Sequence, residues 1–257
     1  MKLLTLKILH MSAIQRQMGD WYPIVKDTIE SQYFEELKEQ LKTDLKDGIV
    51  YPSGGYIFRA FTLCSIEDVK VVILGQEPYC DGTATGLSFA NDNDNEKFSP
   101  SLNIIRQELI ESIHGQFFPF NHGLEHWSQQ GVLLLNTALT VKQNLPGSHI
   151  DLWEKFTIDF ISKFSKVRSN IIYLLWGSEA QRYKKHIHGI NYILEAPHPN
   201  EDAYNVNSKR KFLGCDHFNK TNKLINKHYT NANIDWLLTK DQNNWIGNAN
   251  LKDKYDE

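Results

Sequence analysis

The stretch that decides the fold reads VKVVILGQEPY and covers residues 69–79. Its apolar part, Val69–Leu74, is rich in β-branched residues and lacks regular polar alternation, which is typical of a strand buried on both faces. Three other short runs share this character: Val132–Leu135, Ile171–Leu175 and Tyr192–Leu194. The sequence therefore predicts four buried strands.

Helical patterns lie around and between these runs. Apolar residues recur at helical spacing in Leu102–Ile113, Trp153–Phe164, Ala180–His186 and Phe218–His228, and Tyr22–Leu45 has the pattern of one or two amphipathic helices. Strands that alternate with helices indicate a parallel sheet with helices on both sides. The predicted fold is α/β, with three α/β/α layers around a central four-stranded parallel sheet.

Composition limits the classes of function. The chain has 257 residues, of which 41% are apolar, so it can bury one sizeable core. Its formal net charge is only −3, and any nucleic-acid site must therefore be a local patch.

Cysteine usage and hydropathy indicate a compartment. Cys64, Cys80 and Cys215 lie far apart without a Cys-x-x-Cys pair, which predicts a reducing environment, no metal and no cofactor. No apolar run reaches the length of a membrane span. We expect a soluble intracellular protein with no membrane contact, located in the cytoplasm, or in the nucleus or mitochondria of a eukaryote.

The residues directly after each predicted strand are the informative ones. The strands end in Gly75–Tyr79, Asn136–Thr137, Trp176–Ser178 and Ala196–Pro199. In open α/β sheets, ligands bind outside the carboxyl ends of the strands. These four polar or Gly/Pro-rich segments are therefore expected to converge on one site.

Each of these residues taken singly has a simpler interpretation. Glu77 could be an ion-pair partner, His198 a loop histidine and Asn136 a turn cap. Ser178 could suggest a nucleophile, but Trp-Gly-Ser-Glu-Ala lacks the second glycine of a Gly-x-Ser-x-Gly elbow. A zinc base deaminase would need His-x-Glu and Pro-Cys-x-x-Cys motifs, and the chain has neither.

Taken together and in order, the segments resemble the Ung-type uracil-DNA glycosylases. That family normally carries Gly-Gln-Asp-Pro-Tyr-His where this chain has Gly75–Cys80. Seven further segments resemble the family, in chain order Gly86–Phe89, Ser99–Ile104, Gly131–Thr137, Leu174–Ser178, Ala196–Pro199, Phe212–Phe218 and Ile234–Trp236. We therefore expect a glycosylase domain at residues 21–237, between an N-terminal extension at 1–20 and a polar tail at 238–257.

The resemblance implies an enzyme that flips uracil out of DNA and hydrolyses its bond to deoxyribose. The Asn136 amide would read the uracil edge, because it offers a donor and an acceptor side by side. Phe89 would stack on the base, and Tyr79 would fill the space beside C5 and exclude thymine. Backbone N–H groups near Gln76 would add donors to the base.

The resemblance also implies two catalytic residues. Cleavage develops positive charge on the sugar and negative charge on uracil. Glu77 would stabilise the cation and orient water, and His198 would donate to uracil O2. The family's Asp is replaced by Glu77 and its following His by Cys80. A relative that binds uracil-DNA as a scaffold without cutting it remains the alternative at this point.

Partner contacts follow from the same resemblance. The expected partners are uracil-containing DNA and a proteinaceous uracil-DNA glycosylase inhibitor, and the expected state is a monomer. DNA phosphates would be bound by two serines and three basic residues: Ser101, Ser178, Lys209, Arg210 and Lys211.

The segment that follows His198 departs from the family. The leucine that wedges into the base stack is missing from residues 200–207, where Tyr204 and Val206 are the large apolar candidates for that role. Glu201 and Asp202 in this longer loop would repel phosphates.

The three basic residues 209–211 lead to a prediction about salt. Because the chain has a net negative charge, its affinity for uracil-DNA should come from a local basic surface. Neutralising all three should flatten the slope of log affinity against log salt by about 0.9 for each phosphate that the variant no longer neutralises. Anisotropy titrations of a uracil oligonucleotide at several salt concentrations measure this slope. Neutralising Lys38, Lys42 and Lys46 is the control, and an unchanged slope in the first variant would place the phosphate-binding surface elsewhere.

Overall fold

A computed structural model describes residues 13–91, 99–114, 120–204, 211–229 and 232–237. The predicted tail at 238–257 and the first twelve residues lie outside these ranges. No helix within the ranges is long and apolar enough to span a membrane.

The described part of the chain contains six strands in two sheets. They are β1 (Val50–Tyr51), β2 (Val71–Gly75), β3 (Val132–Asn136), β4 (Val141–Lys142), β5 (Ile172–Trp176) and β6 (Tyr192–Ala196). The larger sheet is parallel and has the order β3-β2-β5-β6, and β1 pairs with β4 in a small antiparallel sheet. The predicted four-stranded parallel sheet is confirmed, whereas the β1–β4 pair was not foreseen because two-residue strands carry no periodicity.

Helices cover the larger sheet and complete the three-layer α/β/α arrangement. Within the described ranges they are α1 (Ala13–Met18), α2 (Tyr22–Ile29), α3 (Gln32–Asp47), α4 (Arg59–Leu63), α5 (Pro100–Leu109), α6 (Glu125–Ser128), α7 (Ile150–Val167), α8 (Ser178–Gln181), α9 (Pro199–Tyr204) and α10 (His217–His228). Short 3-10 turns cover Gly19–Trp21, Gly54–Tyr56 and Arg182–His186, and a π turn covers Ile110–His114.

Local chemistry accounts for two of the helix starts. The Tyr22–Leu45 pattern forms two helices, because the Ser31 hydroxyl accepts from the Phe34 N–H and starts α3. Ser99 does the same for α5 by accepting from the Leu102 N–H at 3.2 Å, with Pro100 in the first turn.

Burial of the strands follows the predicted pattern at three of the four positions. Every residue of β2, β3 and β5 is buried. The expectation of burial on both faces is wrong for β6, where only Ala196 is buried. Both β3 and β6 are edge strands, but β3 packs against α4 and α6, whereas the main packing partner of β6 is β5.

The packed core includes residues close to the start of the described chain. Met18 and Trp21 are both 0% exposed. The Trp21 indole N–H donates to the Cys64 carbonyl at 2.7 Å, and its ring lies 5.5 Å from Phe160 and 5.1 Å from Phe164. The N-terminal helices are therefore part of the same core as α7.

A buried polar chain joins α3 to the start of α7. The Trp153 indole donates to Thr140 Oγ1 at 2.7 Å, and Thr140 contacts His149 Nδ1 at 2.8 Å. His149 Nε2 lies 3.0 Å from Asp44 Oδ2, and Lys142 Nζ lies 2.6 Å from Asp44 Oδ1. Burial lowers the pKa of His149, so a neutral ring accepts at Nδ1 and donates from Nε2. This chain holds the loop between β4 and α7.

Removing the Asp44 carboxylate should destabilise the fold. Burial alone would raise the Asp44 pKa, but hydrogen bonds from Lys142 and Gln40 hold it below the ordinary value of 3.8. This stabilisation is therefore present above pH 3.8 and is lost as the pH falls through the folded-state pKa. Asp44→Asn should lower the free energy of unfolding by about 3 kcal/mol.

Urea unfolding at neutral pH measures this loss. Asp27→Asn is the matched control, because the Asp27 side chain is 84% exposed and its pair with Lys163 should contribute nothing resolvable. Equal unfolding midpoints for Asp44→Asn and the parent would contradict the assignment.

Candidate active site

The ends of β2 and β3 bring an amide and an aromatic ring together around Gly75. Gly75 pairs with Asn136 across the two strands. A Cβ at Gly75 would lie 2.4 Å from Asn136 Oδ1, 2.8 Å from Ser88 Cβ and 3.3 Å from Phe89 Cε2. Only glycine leaves room for this approach, so the Asn136 amide and the Phe89 ring flank the same backbone.

The ends of β5 and β6 place His198 against Phe89. The two ring centroids are 5.7 Å apart, and Phe89 also lies 5.3 Å from Trp176. A Cβ at Gly177 would lie 2.8 Å from His198 Cβ, and Gly177 has a φ of +94°. Glycine at this position therefore permits the close approach of the histidine.

Hydrogen bonding defines the tautomer of His198. The Asn200 N–H donates to His198 Nδ1 at 3.1 Å, so Nδ1 carries no proton. Burial lowers the pKa of His198, while the charge of Glu201 opposes that shift. The neutral ring therefore carries its proton on Nε2. This single N–H donor is not used in the contact with Asn200.

A cavity of about 400 Å³ lies at this edge of the sheet. It is lined by residues from three strand ends and from the start of α9: Gln76, Trp176, Gly177, Ser178, Glu179, His198, Asn200 and Glu201. The predicted convergence therefore brings Gln76, Ser178 and His198 to one cavity. Asn136, Phe89 and Tyr79 are not among the lining residues. Phe89 contacts the lining residue His198, Asn136 flanks Gly75 next to Gln76, and Tyr79 is hydrogen-bonded to Phe89.

Tyr79 is tied to the segment that starts α5. Its hydroxyl lies 2.6 Å from Ser99 Oγ and donates to the Phe89 carbonyl at 3.3 Å. A further hydrogen bond links it to Ser101, whose side chain is buried. Burial raises the pKa of Tyr79 to about 12, so the phenol stays protonated. In this structure the Ser101 hydroxyl thus faces Tyr79 rather than solvent.

Glu77 is half-buried and held by backbone. The Gly147 N–H donates to both of its carboxylate oxygens, and Gln76 Nε2 lies 3.4 Å from Oε1. Burial raises the Glu77 pKa, whereas these two donors lower it. The Glu77 carboxylate is therefore held by Gly147 and Gln76, and neither of these partners is a cation.

The segment after His198 differs from the loop expected there. Residues Pro199–Tyr204 form α9, and Asp202 is buried. Its carboxylate accepts from the Phe212 N–H at 3.0 Å and the Leu213 N–H at 2.8 Å. The expectation that Asp202 repels phosphates is therefore wrong, because its charge is directed inward. Glu201 stays exposed, and its Oε1 accepts from the His198 N–H at 3.2 Å.

Only some of the predicted DNA-binding residues lie within the described ranges. Val206, Lys209 and Arg210 lie outside the described residues, as does the side chain of Tyr204. Lys211 is exposed, and so is Ser178 at the first position of α8. Within the described ranges, no group of three or more His, Cys, Asp or Glu side chains could hold a metal ion.

Comparison with known proteins identifies the family. The sequence profile of the Uracil DNA glycosylase superfamily matches residues 61–226. The chain belongs to that superfamily. A uracil-DNA glycosylase from Aliarcobacter butzleri is 40% identical over 210 residues, which cover 80% of this chain and 95% of that protein. One from Fusobacterium nucleatum is 39% identical over 86% of this chain and 96% of its own length.

Solved structures of the superfamily share the fold. The crystal structure of mimivirus uracil-DNA glycosylase has a TM-score of 0.76 and 27% identity, and the match covers 84% of this chain and 85% of that one. A variant of the mimivirus protein in complex with UGI has a TM-score of 0.77 and 27% identity over 85% and 88% of the two chains.

Some residues at this candidate site were not singled out from the sequence. Trp176 packs against Phe89, and Asn200 contributes only its backbone N–H to His198. Gly147 reaches Glu77 from the loop between β4 and α7, in which the sequence predicted no site residue. Backbone donors have no side-chain signature, so the sequence offered no signal for Asn200 and only a Pro-Gly turn for Gly147.

Neutralising Glu201 should shift the titration of His198. The negative charge of Glu201 raises the His198 pKa, so Glu201→Gln should lower that pKa below the parent value. The glutamine carbonyl can still accept from the His198 N–H, which keeps the loop in place. NMR titration of the His198 ring nitrogens measures the pKa, with Glu195→Gln on β6 as the control. A raised or unchanged pKa in Glu201→Gln would contradict this electrostatic account.

Proposed function

We propose that the protein is a uracil-DNA glycosylase that hydrolyses the N-glycosidic bond between uracil and deoxyribose in DNA. The product is an abasic site, which is an intermediate of base excision repair. The observation that carries this function is the convergence of Gln76, Ser178 and His198 on one cavity, with Phe89 against His198. Sequence identity near 40% to uracil-DNA glycosylases supports it. Nothing in these comparisons favours a scaffold without catalytic activity.

The base would be read at the β2–β3 edge of the site. Asn136 would pair its amide with the uracil edge, and its 6% exposure supports a role in a desolvated pocket. Phe89 would stack on the flipped base, supported by its place between Trp176 and His198. Tyr79 would exclude the thymine methyl group, and its hydroxyl contacts support a fixed ring.

Catalysis would combine a carboxylate with a neutral imidazole. Glu77 would stabilise positive charge on the sugar and orient water. His198 would donate its Nε2–H to uracil O2 as negative charge develops there, which its acceptor contact at Nδ1 supports. A neutral N–H donor can stabilise an anionic leaving group if the donor is already held in position before the reaction.

The contacts with DNA would be distributed around the cavity. Ser178 would donate to a phosphate, supported by its exposure at the start of α8. Ser101 would need to turn from Tyr79 to do the same. The basic group Lys209, Arg210 and Lys211 would bind further phosphates, and Tyr204 or Val206 would fill the place of the wedge.

Other partners and the compartment are part of the same proposal. A proteinaceous uracil-DNA glycosylase inhibitor would bind this chain, which the complex of the mimivirus variant with UGI supports by analogy. The protein would act as a monomer in an intracellular compartment. Cys64, Cys80 and Cys215 are all unpaired, which suits a reducing environment.

Turnover on a uracil-containing oligonucleotide tests the function. The parent chain should form abasic sites without added metal, and Glu77→Gln should slow single-turnover cleavage by about 100-fold, because it removes the negative charge near the sugar. Glu67→Gln is a surface control, since the Glu67 side chain is 83% exposed. A parent that binds uracil-DNA but forms no abasic sites would support the scaffold instead. Equal rates for Glu77→Gln and the parent would remove Glu77 from the catalytic role.

A further inference from the structure

The loop between β4 and α7, residues 143–149, contacts Glu77, although no residue of this loop was predicted from the sequence to belong to the site. The Gly147 N–H donates to both carboxylate oxygens, with N···O distances of 2.9 Å to Oε1 and 2.8 Å to Oε2. The near-equal distances mean that this N–H points between the two oxygens. Gln76 Nε2 is more distant at 3.4 Å, so Gly147 is the closer donor.

Both ends of the loop are held by other hydrogen bonds. The Asn144 N–H donates to the Cys80 carbonyl at 2.9 Å, three residues beyond Glu77. At the other end, His149 is bound to buried Asp44. Gly147 has a φ of +78°, which glycine adopts without strain. The N–H is therefore a donor fixed in position before any substrate binds.

The length of the side chain at position 77 decides whether it reaches this donor. An aspartate carboxylate on the same backbone would end about 1.5 Å closer to its own Cα. That change would stretch the hydrogen bond from Gly147 from 2.8–2.9 Å to beyond hydrogen-bond distance. The glutamate of this chain thus fits its loop, and a shorter acid would not reach the Gly147 N–H.

We propose that the Gly147 N–H positions the Glu77 carboxylate for the reaction, and that loop 143–149 makes glutamate the better residue at position 77. This inference rests on the catalytic role proposed for Glu77. Gly147 is a positioning residue, because it acts through the carboxylate. Misplacement of a reacting group by about 1 Å can cost ~100-fold in rate. Aspartate should therefore be the poorer residue in this chain, even though it carries the same charge and is the usual residue of the family.

The first test compares Glu77→Asp with the parent in single-turnover cleavage of one uracil oligonucleotide. Glu77→Asp should be slower by at least ~10-fold. Its affinity for the oligonucleotide, measured under conditions without cleavage, should equal that of the parent, because the phosphate-binding residues are untouched. A Glu77→Asp variant as fast as the parent, or faster, overturns the inference.

The second test removes the N–H itself. Incorporating glycolic acid at position 147 replaces the backbone N–H by an ester oxygen and leaves glycine's backbone freedom. The ester should slow cleavage by at least ~10-fold in the Glu77 chain and cause no further decrease in Glu77→Asp. The same replacement at exposed Gly189, which has a φ of +72°, is the matched control. Equal decreases in both backgrounds overturn the inference, because the loop would then act independently of Glu77.

The pH profile separates positioning from general damage to the loop. The Gly147 N–H stabilises the charged carboxylate, so the ester should raise the Glu77 pKa and move the acidic limb of the rate to higher pH. Among the described residues, the other groups that affect the Glu77 pKa are Gln76, which lowers it, and Glu179, which raises it, and the ester leaves both unchanged. An acidic limb that does not move overturns the inference.

The same measurements keep the two proposals apart. If the parent cleaves and Glu77→Gln is slow, but the ester behaves like the parent, the positioning role fails and the glycosylase function stands. If the parent forms no abasic sites, the proposed function itself fails, and the positioning role fails with it.

Discussion

Backbone pairing between β2 and β3 sets Gly75 opposite Asn136, and the site is arranged around that pair. The parallel register ends all four strands at one edge, so the segments that follow them must share a small volume. Glycine at positions 75 and 177 makes this possible, because a Cβ at either would overlap a side chain of the neighbouring strand end. Asn136, Phe89 and His198 can occupy their positions because neither of these two glycines carries a Cβ.

Buried carboxylates hold the loops around this edge. Asp44 binds His149, Asp202 binds the N–H groups of Phe212 and Leu213, and Glu108 accepts from Gly214 at 2.6 Å and Asp216 at 2.9 Å. Charged oxygens are strong acceptors for several N–H groups at once, and burial without partners would be costly. Three acids of a chain with net charge −3 are thus turned inward. The net charge of −3 therefore includes three carboxylates that do not face solvent.

Burial acts on the two proposed catalytic groups in complementary ways. It favours the neutral form of both, raising the pKa of Glu77 and lowering that of His198. For the histidine, neutrality leaves one N–H donor at Nε2, as the hydrogen bond from Asn200 requires. For the glutamate, neutrality would remove the charge that the reaction needs, and the Gly147 N–H counteracts it. The same burial therefore suits both residues, because the Asn200 N–H favours the neutral ring of His198 and the Gly147 N–H favours the charged carboxylate of Glu77.

The sequence by itself determined the parallel sheet, the positions of its strands and the cluster of polar residues at their ends. These follow from short-range periodicity and from the rule that ligands bind at the carboxyl ends of parallel strands. Only the tertiary structure decided that β6 is a partly exposed edge, that Asp202 faces inward from α9, and that Gly147 holds Glu77. The physical reason is that each of these depends on a backbone group or a neighbour distant in the chain. Backbone N–H donors are the same at nearly every residue, so no pattern of side chains reveals where they point.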